Sequence, residues 1–159
     1  MRIYTTKDLK GIEIGGSLKN IIAIDSGMIS GLGYAYNTKA SLITRGIVEI
    51  SRFGEKMGAK PETFWGLAGI GDLMLTSFGA LSRNFQLGEK LAKGEALKKI
   101  LNNTKMVAEG IETTKAVKLL ADKISIEMPI TNQVYQILFK NKPPKKAIKD
   151  LMKRKLKSE

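Results

Sequence analysis

The chain has 159 residues, enough for one domain with a hydrophobic core, and 43% of them are apolar, which favours a folded protein. It contains no cysteine and no histidine, which excludes disulfides and thiolate metal sites and removes the commonest acid–base side chain. Its formal net charge is +12. No stretch is long and apolar enough to span a bilayer and the N-terminus is unlike a signal peptide, so we expect a cytoplasmic protein without a membrane span.

The first elements predicted are a short strand over residues 2–5, a turn at Asp8 and a helix over 17–30. A lone strand is not stable by itself, so its partner strands are expected outside the chain. The pair Gly15-Gly16 predicts a sharp backbone turn before the helix, and Gly27 is expected to loosen it.

Lys19 and Asn20 follow this glycine pair and precede the apolar run 21–24. A lysine near a helix start and beside apolar residues is costly to desolvate, and desolvation favours the neutral amine, which is a general base. The alternative is a solvated lysine with no role in chemistry.

The rest of the chain predicts helices that begin or end at glycine and proline. A stripe of Ile43, Ile47 and Ile50 has helical spacing and is expected in the core. The predicted helices span about 38–57, a short turn from Pro61, 82–93, 95–101, one from 108 or 109, one from Pro129 and one after Pro143-Pro144. The fold class predicted is therefore a compact all-α domain, preceded by one orphan strand.

Five motifs occur in a fixed order along the chain. They read Gly-Gly-x-x-Lys-Asn from residue 15, Gly-x-Gly-Asp-Leu-x-x-Thr over 69–76, Ser-Arg-Asn over 82–84, Val-x-Glu-Gly over 107–110 and Glu-Met-Pro-Ile over 127–130. Together they resemble the C-terminal, substrate-binding domain of NAD(P)-dependent glycerol-3-phosphate dehydrogenases, from about residue 3 to 146. The resemblance implies a helical fold similar to the C-terminal domain of 6-phosphogluconate dehydrogenase-like enzymes.

The resemblance implies a reaction that interconverts sn-glycerol 3-phosphate and dihydroxyacetone phosphate with NAD or NADP, in carbohydrate metabolism and phospholipid synthesis. It makes Lys19 the catalytic base for the carbon-2 hydroxyl and Asp72 a second catalytic residue. A carboxylate beside Lys19 favours the charged amine whereas burial favours the neutral one, which leaves the balance open. Asn20 either orients the substrate or makes a hydrogen bond at the helix start, and Asp72 also fits an N-cap of a helix over 73–76.

By the same resemblance, Arg83 and Asn84 bind the substrate phosphate, and the hydroxyls of Ser82 and Thr76 assist them. The planar guanidinium grips phosphate oxygens and keeps its charge at any working pH. An ordinary surface ion pair is the alternative for Arg83.

Arg83, Val107 and Glu109 are implied as the contacts of this domain with the NAD or NADP cofactor. Glu109 also fits an acidic residue in the first turn of a helix, where the helix dipole favours it. No metal site is predicted.

A dinucleotide-binding fold needs a strand, a Gly-x-Gly-x-x-Gly turn and a helix, and residues 66–71 have the wrong glycine spacing for it. We expect residues 1–8 to end a missing nucleotide-binding domain, 9–146 to form the helical catalytic domain, and 147–159 to form a basic helix and tail. That domain and a second copy of the chain are the expected partners, and the chain alone is expected to have little or no activity.

Residues 140–159 carry nine lysines and arginines against Asp150 and Glu159. Three interpretations stay open: a solvated helix face, a nucleic-acid surface, and a positive field that attracts phosphorylated ligands. The tail has no interleaved aromatic residues, which argues against nucleic acid. An alternative to the enzyme is a non-catalytic helical dimerisation module, in which Lys19, Asp72 and Arg83 are dispensable.

Overall fold

The computed structural model describes residues 2–79, 81–103 and 108–154, and within these ranges every regular element is helical. The nine α-helices of the described ranges are α1 (Leu9–Gly31), α2 (Tyr36–Lys56), α3 (Pro61–Trp65), α4 (Asp72–Phe78), α5 (Arg83–Ala92), α6 (Leu97–Asn103), α7 (Glu109–Lys123), α8 (Pro129–Lys140) and α9 (Pro144–Met152). A π-helical turn over Leu67–Gly71 runs directly into α4. The all-α prediction is confirmed.

The predicted strand over residues 2–5 is wrong, because this segment forms no regular structure. Ile3 and Tyr4 are exposed, and no strand occurs in the part of the chain that the structure describes. A strand without a partner cannot form the backbone hydrogen bonds of a sheet, so nothing stabilises the extended conformation of this segment.

The first helix begins at Leu9 rather than at residue 17, because Asp8 caps it. The Asp8 carboxylate accepts hydrogen bonds from the Gly11 amide at 3.1 Å, the Lys60 amide at 2.9 Å and the Thr63 hydroxyl at 2.6 Å. These bonds, chiefly that from Thr63, lower the pKa of Asp8. One carboxylate therefore starts α1 and joins it to the beginning of α3.

Helix α1 is the centre of the fold, and it packs against α2, α4, α5, α7 and α8. Gly15 and Gly16 lie inside it, so the predicted turn at this pair is wrong and Lys19 lies in the middle of a 23-residue helix. A side chain at Gly15 would stand 3.3 Å from the Ala68 carbonyl oxygen, which shows how closely the segment before α4 approaches.

Gly27 does not loosen α1, contrary to expectation, because it lies where α5 crosses the helix. A Cβ at Gly27 would clash with the Phe85 carbonyl, and a Cβ at Gly88 would clash with the Ile24 carbonyl. Two glycines on facing helices thus let the two backbones touch, which brings the start of α5 against the centre of α1.

The hydrophobic core surrounds α1, and the predicted stripe of Ile43, Ile47 and Ile50 on α2 is buried. Helix α2 ends before Gly58 at φ +85° and α5 before Gly94 at φ +86°, as the glycine signals predicted. The predicted helix over 95–101 lies two residues later, at Leu97–Asn103. None of the helices that the structure describes combines the length and apolar character needed to cross a bilayer.

Helix α8 is capped by a side chain from another helix. Glu49 of α2 is buried, and its carboxylate accepts hydrogen bonds from the Ile130 amide at 2.9 Å, the Thr131 amide at 2.8 Å and the Thr131 hydroxyl at 2.7 Å. Burial raises the pKa of Glu49, against the opposing effect of these bonds and of Arg52. The carboxylate satisfies two amides that the first turn of α8 leaves without helical partners.

We therefore expect Glu49→Gln to lower the free energy of unfolding by about 1–3 kcal/mol, because an amide group then faces backbone donors. Urea denaturation at neutral pH measures this change. Glu13→Gln, at an exposed position of α1, is the control and should alter stability by less than about 0.5 kcal/mol. Equal midpoints for the two variants would contradict the role assigned to Glu49.

Candidate active site

Lys19 and Asp72 form a close ion pair between α1 and α4. The Lys19 Nζ lies 2.5 Å from Asp72 Oδ2, and the two side chains are 23% and 33% exposed. Both charged groups therefore reach solvent, and each of the two holds the other in place. The pair can hold an amine beside a ligand that approaches from outside this domain.

The position of Asp72 results from the π-helical turn before α4. Gly71 is the N-cap of α4 and Asp72 is the first residue of the helix, so the N-cap interpretation of Asp72 is wrong. Gly69 sits so close to the Phe64 backbone that any Cβ would clash with it. Such π-helical turns are frequent at functional sites, and here the turn delivers a carboxylate to Lys19.

Thr76 lies one helical turn after Asp72. Its hydroxyl donates to the Asp72 carbonyl oxygen at 2.7 Å and lies 3.5 Å from Asp72 Oδ1. The hydroxyl therefore stands on the same side of α4 as the carboxylate, and its lone pairs stay available to a ligand.

Asn20 is buried in the middle of α1, so the interpretation as a helix-start residue is wrong. Its side-chain amide is 3.5 Å from the Gly16 carbonyl oxygen, which is a long contact for a hydrogen bond. Asn20 lies next to Lys19 in the chain, and the backbone carbonyl oxygen of Asn20 faces Gly110 at the start of α7.

The Ser82-Arg83-Asn84 segment forms the start of α5. Ser82 is the N-cap, and its hydroxyl oxygen accepts a hydrogen bond from the Phe85 amide at 3.3 Å. Asn84 is buried, and its Oδ1 accepts a hydrogen bond from the Gly110 amide at 3.0 Å. The beginnings of α5 and α7 are thereby joined to each other beside α1.

Gly110 is a site residue that the sequence reasoning did not single out. A Cβ there would stand 2.6 Å from Asn84 Oδ1 and 3.0 Å from the Asn20 carbonyl oxygen, so only glycine fits between α1, α5 and α7. Its place in the Val-x-Glu-Gly motif was the available signal, but only the packing explains why the residue is glycine.

Arg83 points outward and forms an ion pair with Glu109 of α7, with Nη2 3.5 Å from Oε1. The two side chains are 44% and 64% exposed, so the pair is weak and the guanidinium is open to an anion. Glu109 is also in the first turn of α7, as the alternative interpretation predicted. Val107 lies outside the described residues.

The predicted site residues thus follow one another across four helices, from α4 through α1 to α5 and α7. The Gly110 amide bonds the Asn84 side chain, and a Cβ at Gly110 would stand 3.0 Å from the backbone oxygen of Asn20, so the sequence neighbours of Lys19 and Arg83 meet at Gly110. This arrangement offers one amine that can exchange a proton and one exposed guanidinium that can bind an anion. In the described ranges, no group of three or more acidic, histidine or cysteine side chains could hold a metal ion.

A separate cavity of about 550 Å³ lies at the other end of α7, between α7, α8 and α9. Its charged side chains pair with each other: Lys118 Nζ lies 2.5 Å from Asp122 Oδ1, and Arg154 Nη2 lies 3.3 Å from Glu127 Oε2. None of the predicted site residues lines this cavity, so the candidate active site is placed at the Lys19–Asp72 pair instead.

The chain is similar to known proteins along its whole length. The family model described as NAD-dependent glycerol-3-phosphate dehydrogenase C-terminus matches residues 8–149. A glycerol-3-phosphate dehydrogenase [NAD(P)+] of Staphylococcus aureus is 55% identical over 159 residues, which are 100% of this chain and 48% of that relative. The chain therefore spans about half the length of the curated relatives it matches.

Solved structures that resemble this chain include proteins of the same kind as the sequence relatives. The crystal structure of a glycerol-3-phosphate dehydrogenase from Coxiella burnetii superposes with a TM-score of 0.92 at 42% identity, over 96% of this chain and 47% of that one. The structure of a glycerol-3-phosphate dehydrogenase from Saccharomyces cerevisiae gives a TM-score of 0.81 at 32% identity, over 92% and 43%. The chain belongs to the NAD(P)-dependent glycerol-3-phosphate dehydrogenase family and corresponds to its C-terminal domain.

Proposed function

We propose that this chain is the substrate-binding and catalytic half of an enzyme that oxidises sn-glycerol 3-phosphate to dihydroxyacetone phosphate and catalyses the reverse reaction. The observation that carries the proposal is the Lys19–Asp72 pair, 2.5 Å apart and open to solvent, on a chain of the glycerol-3-phosphate dehydrogenase family. Proton exchange at a carbon-2 hydroxyl needs one such positioned amine.

In the oxidation, Lys19 first releases its ammonium proton to the solvent that reaches the pair. The neutral amine then accepts the proton of the carbon-2 hydroxyl while the carbon–hydrogen bond at carbon 2 breaks as a hydride. Bound NAD(P)+ supplies the acceptor for that hydride. The carbonyl of dihydroxyacetone phosphate forms, and Lys19 keeps the proton as an ammonium group held by Asp72. In the reverse direction the ammonium polarises the carbonyl and returns the proton. Asn20 and Thr76 orient the substrate hydroxyls.

The substrate phosphate binds Arg83, with Asn84 and Ser82 beside it at the start of α5. The exposed guanidinium supports this assignment, because its contact with Glu109 is only a weak surface pair that an anion can replace. Arg83 and Glu109 also fit polar contacts with a dinucleotide that approaches from outside the domain, and Val107 completes the proposed cofactor set. The preference for NAD or NADP is set in the other half of the enzyme.

The partner that completes the active site is a nucleotide-binding half, which the chain itself does not provide. Large apolar side chains are exposed around α4, next to Asp72, and a covering domain would bury them. They are Trp65, Leu67, Leu75, Phe78 and Leu81. We propose that residues 1–8 lead from that half, that the chain alone has little or no activity, and that the complete enzyme is a homodimer.

Removing the Arg83 side chain is expected to weaken binding of glycerol 3-phosphate by roughly tenfold or more, because charge-assisted hydrogen bonds to the phosphate are lost. Isothermal titration calorimetry of the chain should detect weak, saturable binding that disappears in Arg83→Ala. Arg52→Ala is the matched control, since Arg52 is exposed on α2 and contacts the Glu127 carbonyl instead.

Equal affinity in Arg83→Ala and the unmodified chain would contradict the phosphate assignment. If neither protein binds, the same variants are tested in a chimera in which this chain replaces the matching half of the Staphylococcus aureus relative. An unchanged KM for glycerol 3-phosphate would then reject the assignment of Arg83. Normal turnover after loss of Lys19, Asp72 and Arg83 together would favour the dimerisation module instead.

A further inference from the structure

Lys39, in the first turns of α2, is a buried lysine surrounded by aromatic rings. It is only 7% exposed, and its Nζ lies 4.9 Å from the ring centroid of Phe85, 5.2 Å from that of Phe78 and 5.9 Å from that of Tyr36. Lysines are almost never buried without a partner, so this position needs an explanation. None of the steps proposed above uses it.

The three rings come from different elements, and two of them bracket the segment that carries Arg83. Phe78 is the last residue of α4 and Phe85 is the third residue of α5. The ammonium group lies over the ring faces of both residues, which attract a cation through the ring quadrupole. Phe85 is buried, whereas Phe78 is 43% exposed, so the contact with Phe85 is the better desolvated of the two. Lys39 therefore contacts both the end of α4 and the beginning of α5.

The contacts of Phe85 show how this link reaches the phosphate-binding residues. The ring of Phe85 lies against Lys39, while its backbone amide donates to the Ser82 hydroxyl at 3.3 Å. The side chain of the preceding residue, Asn84, bonds the Gly110 amide. A shift of Phe85 would therefore move the N-cap, Arg83 and Asn84 together.

Two features of its surroundings act on the charge of Lys39 in opposite directions. Burial lowers the pKa of Lys39, whereas the carboxylate of Glu89, further along α5, raises it. Glu89 thus adds a second attraction between α2 and α5, on the helix that also carries Phe85.

We propose that Lys39 is a positioning residue that clamps the α4–α5 link and so sets Arg83 and Asn84 relative to Lys19 and Asp72. The clamp itself follows from the contacts of Lys39, whereas its effect on glycerol 3-phosphate rests on the proposed function. The clamp depends on the positive charge of Lys39 as well as on the volume of its side chain. A neutral side chain of similar length should therefore fill the space without holding the start of α5.

The first experiment is amide hydrogen exchange of the chain with Lys39→Met, Lys39→Arg and the control Lys56→Met, an exposed lysine at the end of the same helix. Lys39→Met should speed exchange over residues 81–86 by roughly threefold to tenfold, with α8 and α9 unchanged. Lys39→Arg keeps a cation over the rings and should restore the slow exchange. Unchanged exchange in Lys39→Met, or no rescue by arginine, would overturn the proposal.

The second experiment measures kcat and KM in the chimera with the Staphylococcus aureus half. We expect Lys39→Met to raise KM for glycerol 3-phosphate by roughly threefold to tenfold with kcat nearly unchanged, and Lys39→Arg to restore KM. An unchanged KM despite faster exchange would reject the positioning role. If the unmodified chimera shows no turnover while the exchange results hold, the proposed function fails and the clamp stands.

Discussion

Replacing Lys19 with methionine is expected to lower kcat for glycerol 3-phosphate oxidation by about 10²–10⁴-fold, with a much smaller change in KM. Methionine has a similar length but no group that accepts a proton, so the carbon-2 hydroxyl loses its base. The measurement is steady-state turnover of the chimera in which this chain replaces the matching half of the Staphylococcus aureus relative. Lys10→Met, at an exposed position near the start of the same helix, is the control and should retain turnover.

Chemical rescue separates a missing base from a damaged fold. Small alkylamines should restore part of the turnover of Lys19→Ala, because they can enter the vacated space and accept the proton beside Asp72. No such rescue is expected for Arg83→Ala, in which the base is intact. Turnover of Lys19→Met within about twofold of the unmodified chimera would reject Lys19 as the catalytic base.

The second large effect concerns Asp25, a buried carboxyl in the middle of α1. Asp25 is 2% exposed, and its Oδ2 has no hydrogen-bond partner within the described part of the chain. Burial, together with the nearby charge of Glu49, raises the pKa of Asp25 to about 7. The folded state therefore favours the protonated form, whereas the unfolded chain ionises near the ordinary value of 3.8.

The sign of the pH dependence follows from this difference. Below about pH 4, Asp25 is protonated in both the folded and the unfolded state, and no stability is lost through its ionisation. Between about pH 4 and 7 only the unfolded state ionises, and stability falls by up to about 1.4 kcal/mol per pH unit, or about 4 kcal/mol in all. Above that range both states are ionised and the loss is complete.

We expect Asp25→Asn to remove most of this loss, because an amide cannot ionise. The variant should be more stable than the unmodified chain at pH 8 by up to about 3 kcal/mol, and nearly equal to it at pH 4. Urea denaturation at several pH values between 4 and 8 gives the two curves. Some slope will stay in the variant, since the pKa of Glu49 is also raised by burial.

Asp122→Asn provides the control for Asp25→Asn. Asp122 is an exposed residue of α7 whose partner is Lys118, so its loss should change stability by less than about 1 kcal/mol at any pH in this range. Parallel curves for Asp25→Asn and the unmodified chain would mean that Asp25 is ionised in both states at neutral pH, against its raised pKa.

Helix positions were largely predictable from neighbouring residues, because helix ends depend on local backbone chemistry. Pro61, Pro129 and Pro144 each stand at the first position of a helix, and Gly58 and Gly94 follow the ends of α2 and α5 at positive φ. The start of α1 was missed for the opposite reason. Its capping carboxylate, Asp8, is held by Lys60 and Thr63, which are more than 50 positions away in the sequence.

The sequence by itself determined the all-α class, the family through five ordered motifs, and which residue types are available for proton exchange and anion binding. Only the tertiary structure decided that Lys19 meets Asp72 across 53 positions, that Glu49 caps a distant helix, and that Lys39 links α4 to α5. Local propensities set turns and helix ends over a few residues. Pairing of charges between helices depends instead on how closely the backbones pack, and here Gly27 and Gly88 set the approach of α5 to α1.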